Sequence, residues 1–124
     1  MPHLTDSQIE QAIAKYSPKG LHQHPDCVRI AAEWLSAQKM IRSPRCNCYK
    51  HIIESWGGRY VSKDDVTVAA KLMGVYGTYP YLNISLMLIR PDHSRLANIE
   101  NAFKHPNYIG KYDTAYRSIE NIDR

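Results

Sequence analysis

An α+β fold, mostly helical, is predicted by three features of this sequence: apolar residues recurring at helical spacing, helix-start residues ahead of them, and one alternating run at residues 81–88. Thr5 followed by Gln8 reads as a capping box, with Leu4 and Ile9 spaced as a hydrophobic staple, so a first helix begins there. Its inward face is Ile9, Ala12, Ile13 and Tyr16. After the break Ser17, Pro18, Lys19 and Gly20, Pro25 suits the first turn of a second helix, and Asp26 complements its dipole. Val28, Ala31, Trp34 and Leu35 form its buried stripe.

Ser43 and Pro44 repeat the start signal for a third helix at about residues 44–56, in which Tyr49, Ile52, Ile53 and Trp56 follow the i, i+3, i+4, i+7 pattern. Gly57 and Gly58 end it. Residues 59–61 read as a short strand, and Ser62 caps a fourth helix with Asp64 and Asp65 in its first turn and Val66, Ala69, Ala70 and Met73 inward, stopped by Gly74. In the alternating run, Leu82, Ile84, Leu86 and Leu88 share one side, and residues 75–78 pair with it across a turn. Pro91 and Asp92 introduce a helix with Leu96, Ile99 and Phe103 inside, and Tyr112, Tyr116 and Ile119 suggest a last one. The expected architecture is a winged helix-turn-helix-like three-helix core with a small antiparallel sheet and extra C-terminal helices, forming a single domain over residues 1–124.

A chain of 124 residues, 44% hydrophobic and 23% charged, has the composition of a globular domain, which excludes extended disorder. Its most apolar stretch, near residues 86–89, is far shorter than the roughly 20 residues of a bilayer crossing, and no apolar signal core opens the chain, so a cytoplasmic protein without membrane contact is expected. Cys27, Cys46 and Cys48 are expected as reduced thiols, in keeping with that compartment.

The net charge of +4 is unevenly placed: residues 39–59 hold five cations (Lys39, Arg42, Arg45, Lys50, Arg59) against Glu54 alone. Such a local surplus favours polyanions. On the third helix, Arg45, Asn47, Lys50, His51 and Glu54 are the polar and mostly basic face opposite the apolar one, and Arg, Lys and Asn are the residues that read guanine and adenine in a major groove. Lys39, Arg42 and Arg59 flank them as phosphate contacts. The alternative is a solvated helix face. The fourth helix is the rival reading element, disfavoured because Asp64 and Asp65 repel phosphates.

Two further surfaces compete. Tyr76, Tyr79 and Tyr81 cluster at the hairpin turn, and with Tyr112 and Tyr116 on the last helix they suit a protein-binding surface, or base stacking, against the plainer reading of ordinary packing. His22, His24 and Cys27, with Cys46, Cys48 and His51, are zinc-ligand types without finger spacing. The sequence contains no G-x-S-x-G, P-loop or Rossmann glycine pattern, so neither an enzyme nor a cofactor is expected.

Residues 43–85, about a third of the chain, carry Tyr49-Lys50-His51 with Glu54, then Gly58-Arg59-Tyr60-Val61-Ser62, Ala69-Ala70, Gly74 and Asn83. This stretch resembles a pattern in small phage- and plasmid-encoded proteins that have no agreed activity. The resemblance implies a bacterial mobile element and transfers no catalytic residue. The expectation is therefore a small DNA-binding regulator acting as a homodimer. A non-enzymatic interaction module and a small zinc-binding domain are the alternatives.

Overall fold

The computed structural model describes residues 3–120, in which four α-helices and a small antiparallel sheet form an α+β fold. The helix α1 (Asp6–Tyr16) starts where the capping box predicts: the Thr5 hydroxyl accepts the Gln8 N–H at 3.1 Å, and the Gln8 side chain accepts the Thr5 N–H at 2.8 Å. Ile9 and Ala12 are buried, while Tyr16 stays at the surface. In α2 (Pro25–Ser36) Pro25 takes the first turn, and His24 is the cap, its Nδ1 accepting the Asp26 N–H at 3.0 Å. The predicted stripe Val28, Ala31, Trp34 and Leu35 is buried together with Cys27, Ile30 and Ala32, because α2 packs against α1, α3 and α4 at once.

The link expected between the second and third helices is instead a strand, β1 (Met40–Cys46). It pairs antiparallel with β3 (Tyr81–Ile84), which pairs antiparallel with β2 (Gly77–Thr78), so the sheet order is β1-β3-β2. Met40 stands opposite Ile84 and Arg45 opposite Leu82, so residues 41–44 face Asn83 alone and the edge strand bulges there. Pro44 lies in that bulge, where a missing N–H costs no ladder bond. The Asn83 side chain repairs both flanks: its Nδ2 donates to the Ile41 carbonyl at 3.1 Å, and its Oδ1 accepts the Tyr76 N–H at 2.8 Å.

Because residues 44–46 belong to β1, the third helix, α3 (Tyr49–Gly57), begins later than predicted, although Tyr49, Ile52, Ile53 and Trp56 are all buried as expected. Removing Ile52 and Ile53 from water contributes roughly 2–3 kcal/mol each. Gly58 caps the helix at φ +60°, and a Cβ there would stand 3.0 Å from the Phe103 backbone. The terminal carbonyls of Gly57 and Gly58 accept the N–H groups of Phe103 and His105 at 2.8 and 2.7 Å. Residues 59–61 form no strand; the Val61 N–H goes instead to Glu54 Oε2 at 3.3 Å.

The helix α4 (Lys63–Leu72) has a capping box of its own, Ser62 with Asp65, and buries Val66, Ala69 and Ala70 against α1 and α2. The hairpin β2–β3 turns through Tyr79 and Pro80, and Gly77 in β2 has φ +120°, where a Cβ would meet the Tyr81 carbonyl oxygen at 2.0 Å. Leu82, Ile84 and Leu88 point inward, but the strand ends at Ile84 and Leu86 is exposed.

The extra C-terminal helices are not present among the described residues. Residues 91–117 hold only short 3-10 turns, at His93–Leu96, Pro106–Tyr108 and Asp113–Ala115, and the chain closes with β4 (Ile89–Arg90) parallel to β5 (Ser118–Ile119). Core groups claim this segment: Trp56 Nε1 donates to the Pro91 carbonyl at 2.9 Å, Trp34 Nε1 donates to the Tyr116 hydroxyl at 2.9 Å, and Phe103 has φ +62°, outside any helix. No helix among the described residues is long and apolar enough to cross a membrane.

Candidate nucleic-acid interface

The seven residues expected to face DNA fall in three different settings. Lys39, Arg42 and Arg45 are exposed on or beside β1, with no carboxylate in salt-bridge range among the described residues. Asn47 lies in the turn before α3, its Oδ1 accepting the Cys48 N–H at 2.8 Å, so neither it nor Arg45 is on a helix. Lys50 and His51 are on α3 but are engaged by Glu54: Lys50 Nζ is 3.0 Å from Oε2 and His51 Nδ1 3.2 Å from Oε1. Lys50 also sits 4.6 Å over the Tyr60 ring, and His51 stacks on Tyr112.

Arg59 corrects the expectation of a phosphate contact, being 7% exposed with Nη1 donating to Gln23 Oε1 at 2.8 Å and to the Tyr60 carbonyl. It follows the C-terminus of α3, whose carbonyl dipoles favour a cation. The cationic helix face predicted at residues 44–56 is therefore not assembled.

The five tyrosines also divide. Tyr76 and Tyr81 are exposed on the sheet. Tyr79 is half-buried against the Tyr49 ring, its hydroxyl accepting the Lys50 N–H at 3.1 Å. Tyr112 is exposed at its stack with His51, and Tyr116 is held by Trp34, with burial pushing its hydroxyl up to about 12. The predicted C-terminal helix that was to present Tyr112 and Tyr116 is absent.

The zinc-ligand types fall in several different settings. Cys27 is fully buried, its thiol pushed up to about 11 by burial and donating to the Tyr60 carbonyl at 3.4 Å, while Cys46 and Cys48 are exposed. His24 caps α2 and His22 contacts Asp65. Among the described residues no group of three or more His, Cys, Asp and Glu is arranged to hold a metal ion.

A site the sequence reading passed over lies on α4. Lys63, Thr67 and Lys71, at i, i+4 and i+8, occupy the solvent side of a helix otherwise largely buried, and with Asp64, Gly77, Thr78 and Tyr79 they line a groove of about 300 Å³ between α4 and the hairpin. Of the two acids that counted against this helix, Asp65 is turned to its own structure, whereas Asp64 lines the groove and holds the α1–α2 loop. Asp65 is fully buried, accepting from the Ser62 N–H at 2.9 Å and from His22 Nδ1 at 2.8 Å; burial pushes its carboxyl up against those bonds. Asp64 Oδ2 accepts the Leu21 N–H at 2.9 Å. Beyond the far end of the groove, Lys15 and Lys71 both stand over the Tyr16 ring, at 5.2 and 5.9 Å. The i, i+4, i+8 spacing was readable; that these positions face water beside the hairpin was not.

His22 Nε2 is also 3.2 Å from Ser17 Oγ and 3.1 Å from the Ser17 carbonyl, which gives Ser17, His22 and Asp65 the contacts of a nucleophile, base and acid. Gly20 packs closely beside the set, since a Cβ there would stand 2.2 Å from Ser17 Oγ, and these contacts tie the α1–α2 loop to the start of α4. No protein-family model matches the chain, and neither a curated protein nor a solved structure does.

Proposed function

We propose that the chain is a winged-helix protein that binds duplex DNA through α4 and the β2–β3 hairpin, acting as a small regulator of a bacterial mobile element. The element order α2-β1-α3-α4-β2-β3 with sheet order β1-β3-β2 supports it. In that reading α3 and α4, joined by the turn after Gly58, are the helix-turn-helix, and the hairpin is a short wing. The observation that carries the proposal is the stripe of Lys63, Thr67 and Lys71 along the open side of α4, beside the hairpin.

The roles follow from side-chain chemistry. A lysine donates to guanine O6 and N7 or to a phosphate, and a threonine hydroxyl reaches either base type. The Lys63 and Lys71 ammoniums are the contacts expected to carry most of the affinity. One such helix reads few base pairs, so two copies on paired half-sites are the expected arrangement, in the cytoplasm where the element's DNA lies.

Titration of the purified protein with duplex DNA at two salt concentrations tests this. Binding is expected to weaken with salt, and in the double variant Lys63→Ala, Lys71→Ala the slope of log affinity against log salt should fall by about 2. No binding at low salt, or a double variant that binds as tightly as the parent, overturns it.

A further inference from the structure

A second surface, the outer face of the sheet, has a chemistry that the duplex reading does not use. The register puts Thr78, Tyr81 and Cys46 in one row across β2, β3 and β1. Leu82 and Ile84 face the core, so Tyr81 and Asn83 share the opposite face, where Tyr81 is 56% exposed. Tyr76 precedes β2, yet its hydroxyl donates to the Arg42 carbonyl on β1. Its ring therefore crosses the central strand at Asn83, which is only 4% exposed, while Tyr76 itself remains 49% exposed. A ring laid across a sheet with half its surface open is a platform. Tyr81 lies two residues from Asn83 on the same strand face, about 7 Å along it.

The charge carried by these three strands and by Lys39 beside them has one sign. Lys39, Arg42 and Arg45 are exposed along the neighbouring edge, and β1, β2 and β3 contain no Asp or Glu. Between Glu33 and Glu54, and again between Asp65 and Asp92, the sequence has no acidic residue. The same cations, with the bulge and Pro44, disfavour pairing of this edge with a second copy, which would bring like charges together. Exposed rings beside exposed cations suit a ligand that is both a polyanion and rich in flat faces.

We infer that the outer face of the β1-β3-β2 sheet binds single-stranded nucleic acid, with bases stacking on Tyr76 and Tyr81 and phosphates meeting Lys39, Arg42 and Arg45. This site is separate from the α4 groove, touching it only at the hairpin tip, where Thr78 lies in the row with Tyr81. The sequence-level cluster of tyrosines thus resolves into two open rings and one, Tyr79, that packs inward.

Titration of the whole protein with a fluorescein-labelled oligothymidylate tests the inference, with a polyglutamate peptide as competitor. Tyr81→Ala is expected to weaken binding about tenfold or more, and Tyr81→Phe, which keeps the ring, to bind like the parent. Arg42→Ala with Arg45→Ala should lower the salt slope by about 1.4. The Lys63→Ala, Lys71→Ala variant should keep oligothymidylate binding, which separates this site from the duplex groove. Absence of binding at low salt, equal affinity in Tyr81→Ala, or displacement by polyglutamate as effective as by unlabelled oligothymidylate would each overturn it.

Discussion

Asp26 illustrates how one side chain can serve a helix start, a tertiary tie and the pH response together. It is 6% exposed in the first turn of α2, with Arg29 Nη1 at 2.6 Å and both the N–H and the Nδ2 of Asn101 at 3.2 Å. Burial opposes its ionisation, but the hydrogen bonds from Arg29 and Asn101 outweigh burial and hold its carboxyl below the usual range. For a depressed carboxyl the stabilisation is fully present above its ordinary value and is lost as pH falls through the lowered one. Urea unfolding at about pH 5 and about pH 3 should then show a smaller loss of stability in Asp26→Asn than in the parent. An equal loss in both would mean that Asp26 carries none of the acid response. The sequence marked Asp26 as a dipole partner, yet Asn101 lies 75 positions away and no local pattern announces it. Lys50 and Glu54, at i and i+4, were a readable pair, whereas the burial of Arg59 depends on the α1–α2 loop reaching it through Gln23.

Among the elements, those that carry their own start signals were legible and those created by pairing were not. Thr5 with Gln8, Pro25 and Ser62 each opened a helix as read, because a cap is satisfied within one turn. The strand β1 has no alternation of apolar and polar residues and carries Pro44, and it exists because β3 supplies partners and Asn83 bridges its bulge. Asn83→Ala should cost about 2–4 kcal/mol in urea unfolding, since it leaves the Tyr76 N–H and the Ile41 carbonyl without their side-chain partner. A change within error of zero would show that the amide bridge does not hold the sheet together. The C-terminal apolar residues misled for the opposite reason: Leu96 and Ile99 are spaced as on a helix, but the chain is drawn into turns by Trp34, Trp56 and the carbonyls ending α3.

At the scale of the whole molecule, the net charge of +4 is organised by where the acids are spent. Glu54 and Asp65 are buried and bonded, and Glu33 and Glu120 both hold Arg95, so the sheet edge is left with lysine and arginines facing water, while on α4 Lys63 and Lys71 outnumber Asp64, which also holds a loop N–H. Sequence counting located a cationic surplus and assigned it to one helix and its flanks; the fold separates it into the strand edge, the Glu54-bound pair and the buried Arg59, and adds the stripe on α4. In the proposed complex α4 and the hairpin lie against the duplex, a placement that amide NMR spectra recorded during titration with a short duplex can check. The largest shifts are expected at Lys63, Thr67, Lys71, Gly77 and Thr78, whereas shifts confined to α3 and the C-terminal segment, with those five unmoved, would contradict it.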